Sequence, residues 1–134
     1  MAFDKPLATI TAFCEASSAT PEERRCVMHT IFNRQRSGRF GPTIAHVCLK
    51  RMQFSEWNGD LADNNNLLRA ADAGDDSSVM ADCAAAYDEI AAGASDPTSG
   101  ATHYHDKSIA PPTWTAGATM TLETPKFFFY SNVK

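Results

Sequence analysis

The tetrapeptide Thr20-Pro21-Glu22-Glu23 commits the chain to a helix more firmly than any other stretch. Thr20 has the side-chain oxygen of an N-cap, Pro21 the preset φ of a first helical position, and Glu23 the carboxylate that closes a capping box. Val27, Met28, Ile31 and Phe32 follow at helical spacing, and Gly38 is a stop signal, so a helix is predicted from Pro21 to about Arg36. Upstream, Phe3, Leu7, Ile10 and Cys14 recur at intervals of four, three and four, which predicts a helix over 3–16 with these residues on one face; Ser17, Ser18 and Ala19 end it. Thr43 caps a short helix carrying Ile44, Val47 and Cys48. Residues 50–66 read as irregular, with a turn at Asn58-Gly59. Asn64-Asn65-Asn66 reads as the entry to a short helix with Leu67, Leu68 and Ala71, ending near Gly74. Asp76, Ser77 and Ser78 offer N-caps for another helix with Val79, Met80, Cys83, Tyr87 and Ile90, stopped by Gly93.

Beyond about residue 95 the character changes. Pro97, Pro111, Pro112 and Pro125 interrupt a sequence with little helical period, and 101–105 and 126–131 read as short strands. No internal repeat or low-complexity segment is present. The expected fold class is α+β, mainly helical, with a small C-terminal β element. At 134 residues the chain is expected to form one domain, 1–134, large enough to bury a core. With 43% hydrophobic and 21% charged residues, an ordered fold is expected. A net charge of −4 argues against a nucleic-acid partner held by charge alone. The charge is uneven, however: residues 1–60 are net +2 and residues 61–134 net −6. No apolar run approaches the roughly 18 residues that span a membrane. The first ten residues hold Asp4, Lys5 and Pro6, so no signal peptide is expected.

Cys14, Cys26, Cys48 and Cys83 lack metal-ligand spacing. They read as buried small hydrophobes in a reducing compartment, with one or two disulfides as the alternative. Glu15 is the residue of most chemical interest. It flanks the apolar stripe in the last turn of its helix, where the negative dipole end and partial burial both act against the ionised form. That suits a general acid; the bland alternative is a surface glutamate. His103 and His105, next to Asp106, share one face of any strand, fit for a substrate contact, a structural role or, with two further ligands unidentified, a metal. Asp60, Asp63, Asp72, Asp75 and Asp76 do not match a calcium loop and read as solvated loops and caps. Trp57, Tyr104, Trp114 and Tyr130 are suited either to stacking on sugar rings or to filling core, and Phe127, Phe128 and Phe129 to core plus one exposed ring. With no nucleophile elbow and no phosphate-binding glycine loop, carboxylate and imidazole chemistry remain.

The order of four segments resembles the SleB/CwlJ cell-wall hydrolase family, which includes spore cortex-lytic enzymes and phage lysis proteins. These are Glu15-Ala16; the apolar helix Val27 to Arg34 ending in Asn33-Arg34; Gln53-Phe54-Ser55 followed by Trp57; and Asp96 through Tyr104, with Pro112 and Trp114 beyond. The closing Phe129-Tyr130 is similar to the family's terminal strand. The resemblance implies a fold related to lysozyme-like transglycosylases and cleavage of peptidoglycan between N-acetylmuramic acid and N-acetylglucosamine. It places the family's essential glutamate on Glu15, and it implies that Gln53, Thr102 and Tyr104 line the groove. Phe54, His103, His105 and Trp114 are the further candidates for substrate contact. Two departures stand out. The family's Arg-Gly-Glu after Glu-Ala is here Ser17-Ser18-Ala19, so its second glutamate is missing, and Phe127 stands where a histidine is common.

A lytic transglycosylase needs one carboxylate, because the muramic C6 hydroxyl is the nucleophile. A hydrolytic muramidase needs two, and Glu56 or Asp106 would supply the second. A glycan-binding or virion domain without catalysis, and a metal-dependent amidase on His103 and His105, are the other classes. The enzyme reading implies glycan strands as partner, a monomer, and no cofactor, metal, nucleic acid or membrane insertion. Without a signal peptide, release by a phage lysis system or delivery in a virion is the expected route to the wall. Arg24, Arg25, Arg34, Arg36, Arg39, Lys50 and Arg51 lie between Glu15 and Gln53, which predicts a positive field near the groove and activity weakened by salt.

Overall fold

The computed structural model describes residues 2–50, 53–57, 61–74 and 77–134. Arg51, the Asn58-Gly59 turn, Asp60, Asp75, Asp76 and the side chain of Asp63 lie outside the described residues. Helix α2 (Pro21–Ser37) forms where the capping box predicts it. Glu23 N–H donates to Thr20 Oγ1 at 3.1 Å, and Thr20 N–H donates to Glu23 Oε1 at 3.0 Å. Gly38 ends the helix in the left-handed region at φ 73°, where a side chain would be strained. From Glu23 to Arg34 only Arg25 is not buried, so α2 is a core helix rather than an amphipathic surface one.

Helix α1 (Asp4–Ala16) packs against α2 and against three further helices: α3 (Ile44–Leu49), α4 (Leu61–Ala73) and α5 (Ser78–Ala91). With neighbours on several sides, its buried surface is wider than the predicted stripe. Ala8, Ala12 and Phe13 are core, whereas Phe3 is 66% exposed and sits at the N-cap. Thr43 and Ser77 cap α3 and α5 as expected, each accepting a backbone N–H three residues on. Helix α4 begins at Leu61, so the asparagine run lies within the helix and is not its entry. Asparagine's weak helix propensity is overridden by the packing of α4 against α1 and against a 3-10 turn at Ser55–Trp57.

Three antiparallel strands follow: β1 (His103–Asp106), β2 (Thr119–Glu123) and β3 (Phe127–Ser131), in the order β1-β3-β2. Strand β2 is an element the sequence reading missed. Its Thr-Met-Thr-Leu alternation is a strand signal, but the residues lie on an edge, half-buried or exposed, and give little hydrophobic contrast. In register, Tyr104 faces Phe129 and Asp106 faces Phe127. Phe127 and Phe129 are 3% and 0% exposed and meet Ala16, Cys26, Val27 and Ala101 in a second core cluster, while Phe128 turns the other way. Glu23 anchors this sheet: its Oε2 accepts from Thr124 Oγ1 at 2.6 Å and from Lys126 N–H at 2.8 Å, at the β2–β3 turn. All four cysteines are free and buried. Burial pushes the thiols of Cys14 and Cys48 up to about 12 and those of Cys26 and Cys83 up to about 11.

Candidate active site

Glu15 is half-buried in the last turn of α1. The orphan carbonyls of that helix end are met by Arg24, a buried side chain of α2. Its Nη1 donates to Ala19 O at 2.8 Å and to Ala16 O and Ser17 O at 3.4 Å, while its Nε is held by Asp82 at 2.8 Å. A cation therefore caps the helix end on which Glu15 sits.

Across from it, the Tyr104 hydroxyl donates a hydrogen bond to Glu15 Oε1. The Tyr104 ring is packed by Phe127 and Phe129 at 5.3 and 5.6 Å between centroids. Burial, the Glu15 charge, the hydrogen bond to Glu15 and the Glu56 charge together hold the phenol well above its usual 10, so it stays a donor. Glu56 belongs to the 3-10 turn and is 0% exposed. That turn is tied to α1 by Trp57, whose Nε1–H donates to Thr11 Oγ1 at 2.9 Å. The Glu56 charge also helps raise the buried thiols of Cys14 and Cys48. Asp106 is turned to Ser108 N–H at 2.8 Å and to Lys126 at 3.6 Å.

The end of α2 fixes the approach of β1. Asn33 Nδ2 donates to Ala101 O at 2.9 Å and to Asp96 Oδ2 at 2.8 Å. Arg34 Nε donates to the next carbonyl, Thr102 O, at 2.6 Å, and its Nη1 donates to Gln53 Oε1 at 3.2 Å. Arg34 is 5% exposed, and its guanidinium carbon lies 4.7 and 4.9 Å from the ring centroids of Phe40 and Phe54. Burial pulls this guanidinium below its usual range, opposed by the Glu15 charge.

The structure thus joins Tyr104 to Glu15 and, through Arg34, Gln53 to the Thr102 carbonyl, but it divides the other candidates. Strand alternation sends His103 and His105 to the sheet face opposite Tyr104. There His103 meets Phe40 and Trp114 at 5.8 and 5.1 Å. Its Nδ1 lies 2.9 Å from Thr102 Oγ1, and burial with the Arg34 and Arg39 charges lowers it to about 4, so it is neutral near pH 7. His105 is 5% exposed, stacked on Tyr130 at 5.5 Å, and donates Nδ1–H to Asp106 O at 2.9 Å. Phe54 is 1% exposed and underlies Arg34. His105 and Phe54 are therefore packing residues rather than surfaces for a ligand; Trp114 is half-buried and keeps an open edge. Among the described residues, no group of three or more His, Cys, Asp or Glu side chains is placed to hold a metal.

The predicted basic field is also reshaped. Arg24 and Arg25 are spent on ion pairs with Asp82 and Glu89 of α5. Arg36 bonds Asn33, and Arg39 donates to Val133 O at 2.6 Å. The clamp made by Arg34, the helix-end contacts of Arg24 and the anchoring of the β2–β3 turn by Glu23 are roles the sequence did not reveal. The Asn33-Arg34 pair was the one signal available for the first of them.

The architecture is a mainly helical lobe set against a small three-stranded antiparallel sheet, a lysozyme-like fold. The structure aligns with the catalytic domain of the germination-specific lytic transglycosylase SleB from Bacillus anthracis at a TM-score of 0.73 and 20% identity, covering 96% of this chain and 93% of that one. The model of the Cell Wall Hydrolase family matches residues 19–130, and the chain belongs to that family. Glu15 lies just ahead of the matched segment. A comparison with curated proteins gives no match.

Proposed function

We propose that this chain cleaves the glycan strands of peptidoglycan between N-acetylmuramic acid and N-acetylglucosamine as a lytic transglycosylase, with Glu15 as its single acid and base. Family membership and the shared fold support wall cleavage. The observation that carries the finer reading is the contrast between two carboxylates. Glu15 is half-buried and reachable, whereas Glu56 is fully enclosed and has no access to a water or a sugar. Hydrolysis with inversion or retention needs a second carboxylate at the sugar, and Glu56 cannot reach one.

Tyr104 engages Glu15 Oε1, which leaves Oε2 to address the glycosidic oxygen. Glu15 gives its proton to that oxygen as the bond to muramic C1 breaks, releasing the N-acetylglucosamine hydroxyl. The carboxylate then takes the proton of the muramic C6 hydroxyl as O6 bonds to C1. Glu15 ends protonated, no water is consumed, and the product is a 1,6-anhydro ring. Mass analysis of fragments from purified peptidoglycan tests this. Ends one water lighter than hydrolysis products are expected, and reducing muramic ends would overturn the transglycosylase. Glu15→Gln is expected to abolish turnover while melting as the parent does.

A further inference from the structure

Arginine has donors and no acceptor, so what faces Arg34 must be an oxygen. Thr102 supplies its carbonyl and Gln53 its Oε1. The second contact orients the Gln53 amide by chemistry alone, since the opposite orientation would set Nε2–H₂ against Nη1–H. The Gln53 Nε2 donors are therefore turned away from Arg34, and among the described residues they make no hydrogen bond. Gln53 itself is half-buried, with one side toward solvent. The guanidinium is confined by the rings of Phe40 and Phe54, 4.7 and 4.9 Å from its central carbon, and by its two oxygen partners. Its other arm grips the Thr102 carbonyl, just before β1 and two residues ahead of Tyr104, while Asn33 grips the carbonyl before it.

We infer that Arg34 is a positioning residue with two outputs: it holds β1 where Tyr104 meets Glu15, and it locks the Gln53 amide so that its N–H donors select an acceptor oxygen on the glycan, of the kind an acetamido carbonyl offers. The inference rests on Glu15 being the acid and base. It goes beyond that reading by assigning Gln53 a polarity and Arg34 a role that is neither charge nor packing.

Three variants test it, assayed on soluble peptidoglycan glycan oligomers well below each melting midpoint. In Gln53→Glu the carboxylate pairs with Arg34 at least as well, so the melting midpoint is expected to hold or rise. The donors are lost, and KM is expected to rise about tenfold, with the loss on KM rather than kcat. Arg34→Lys keeps the charge but cannot span Thr102 O and Gln53 Oε1 together. It is expected to lower kcat and raise KM, each by about tenfold. A purely structural arginine would lower the midpoint and leave both constants of the folded protein unchanged. In a Glu15→Gln background, Gln53→Glu is expected to weaken retention on purified sacculi. If Glu15→Gln still turns over, the acid assignment fails, and sacculus retention still decides the Gln53 assignment. A wild-type KM in Gln53→Glu, or unchanged kcat and KM in Arg34→Lys, overturns the inference.

Discussion

Tyr104→Phe removes one hydroxyl and leaves the ring between Phe127 and Phe129, so its effect isolates the hydrogen bond to Glu15. A hydrogen bond donated to an ionised group contributes about 1.5–3 kcal/mol. If the bond holds the carboxyl in its reactive pose through bond cleavage, its loss lowers kcat/KM about ten- to hundredfold. The fold loses little, since no apolar contact disappears and Glu15 reaches solvent. A melting shift of no more than about 4 °C is expected. Because the phenol is held well above 10, it stays protonated across the neutral and mildly alkaline range, and wild type should show no alkaline loss from this group below its usual value. The assay is the initial rate of clearing of a purified wall suspension, read beside a thermal melt. A variant that clears walls within twofold of wild type at an unchanged melting midpoint would refute the assignment of Tyr104 to the site.

Glu23→Gln keeps the volume of a buried side chain but replaces one acceptor by a donor. With the amide oxygen kept for Thr124 and Lys126, the nitrogen faces Thr20 N–H, and the side-chain half of the capping box is lost. A cost of about 2–3 kcal/mol and a fall in melting midpoint of roughly 6–12 °C are expected, with wall clearing retained below it. Burial raises the Glu23 carboxyl, but its hydrogen bonds from Thr124, Thr20 and Lys126 outweigh this and bring it below its ordinary 4.5. Its stabilisation is therefore complete above about 4.5 and is lost as pH falls through the lower folded value. Melts from pH 7 to pH 3 should show a shallower acid loss in the variant; parallel curves would contradict the role. For the thiols, the native protein should take up no iodoacetamide label at pH 8 and four labels in denaturant, counted by intact mass. Rapid labelling of Cys14 in the folded protein would show that its site is looser than the structure has it.

The sequence by itself determined the elements whose signals are local. The cap at Thr20, the stop at Gly38 and the caps at Thr43 and Ser77 act on their own neighbours within three or four residues, and each falls where the pattern put it. Alternation along His103–Asp106 likewise settled that the two histidines share a face. Glu15 and Tyr104 were legible as candidates through the family resemblance, because residue type and order survive in a single chain. Their meeting was not legible, because it joins a helix end to a strand 89 residues away. Strand β2 was lost because an exposed edge carries almost no hydrophobic contrast. Burial decided the rest. Glu56 and His105 are charged or polar letters in the sequence, and only the packing of the 3-10 turn and the sheet encloses them. Arg34 looked like part of a basic surface, yet two aromatic rings and two oxygens from distant segments turn it into an internal clamp. A side chain's partners come from segments far along the chain, and the tertiary structure alone brings those segments together.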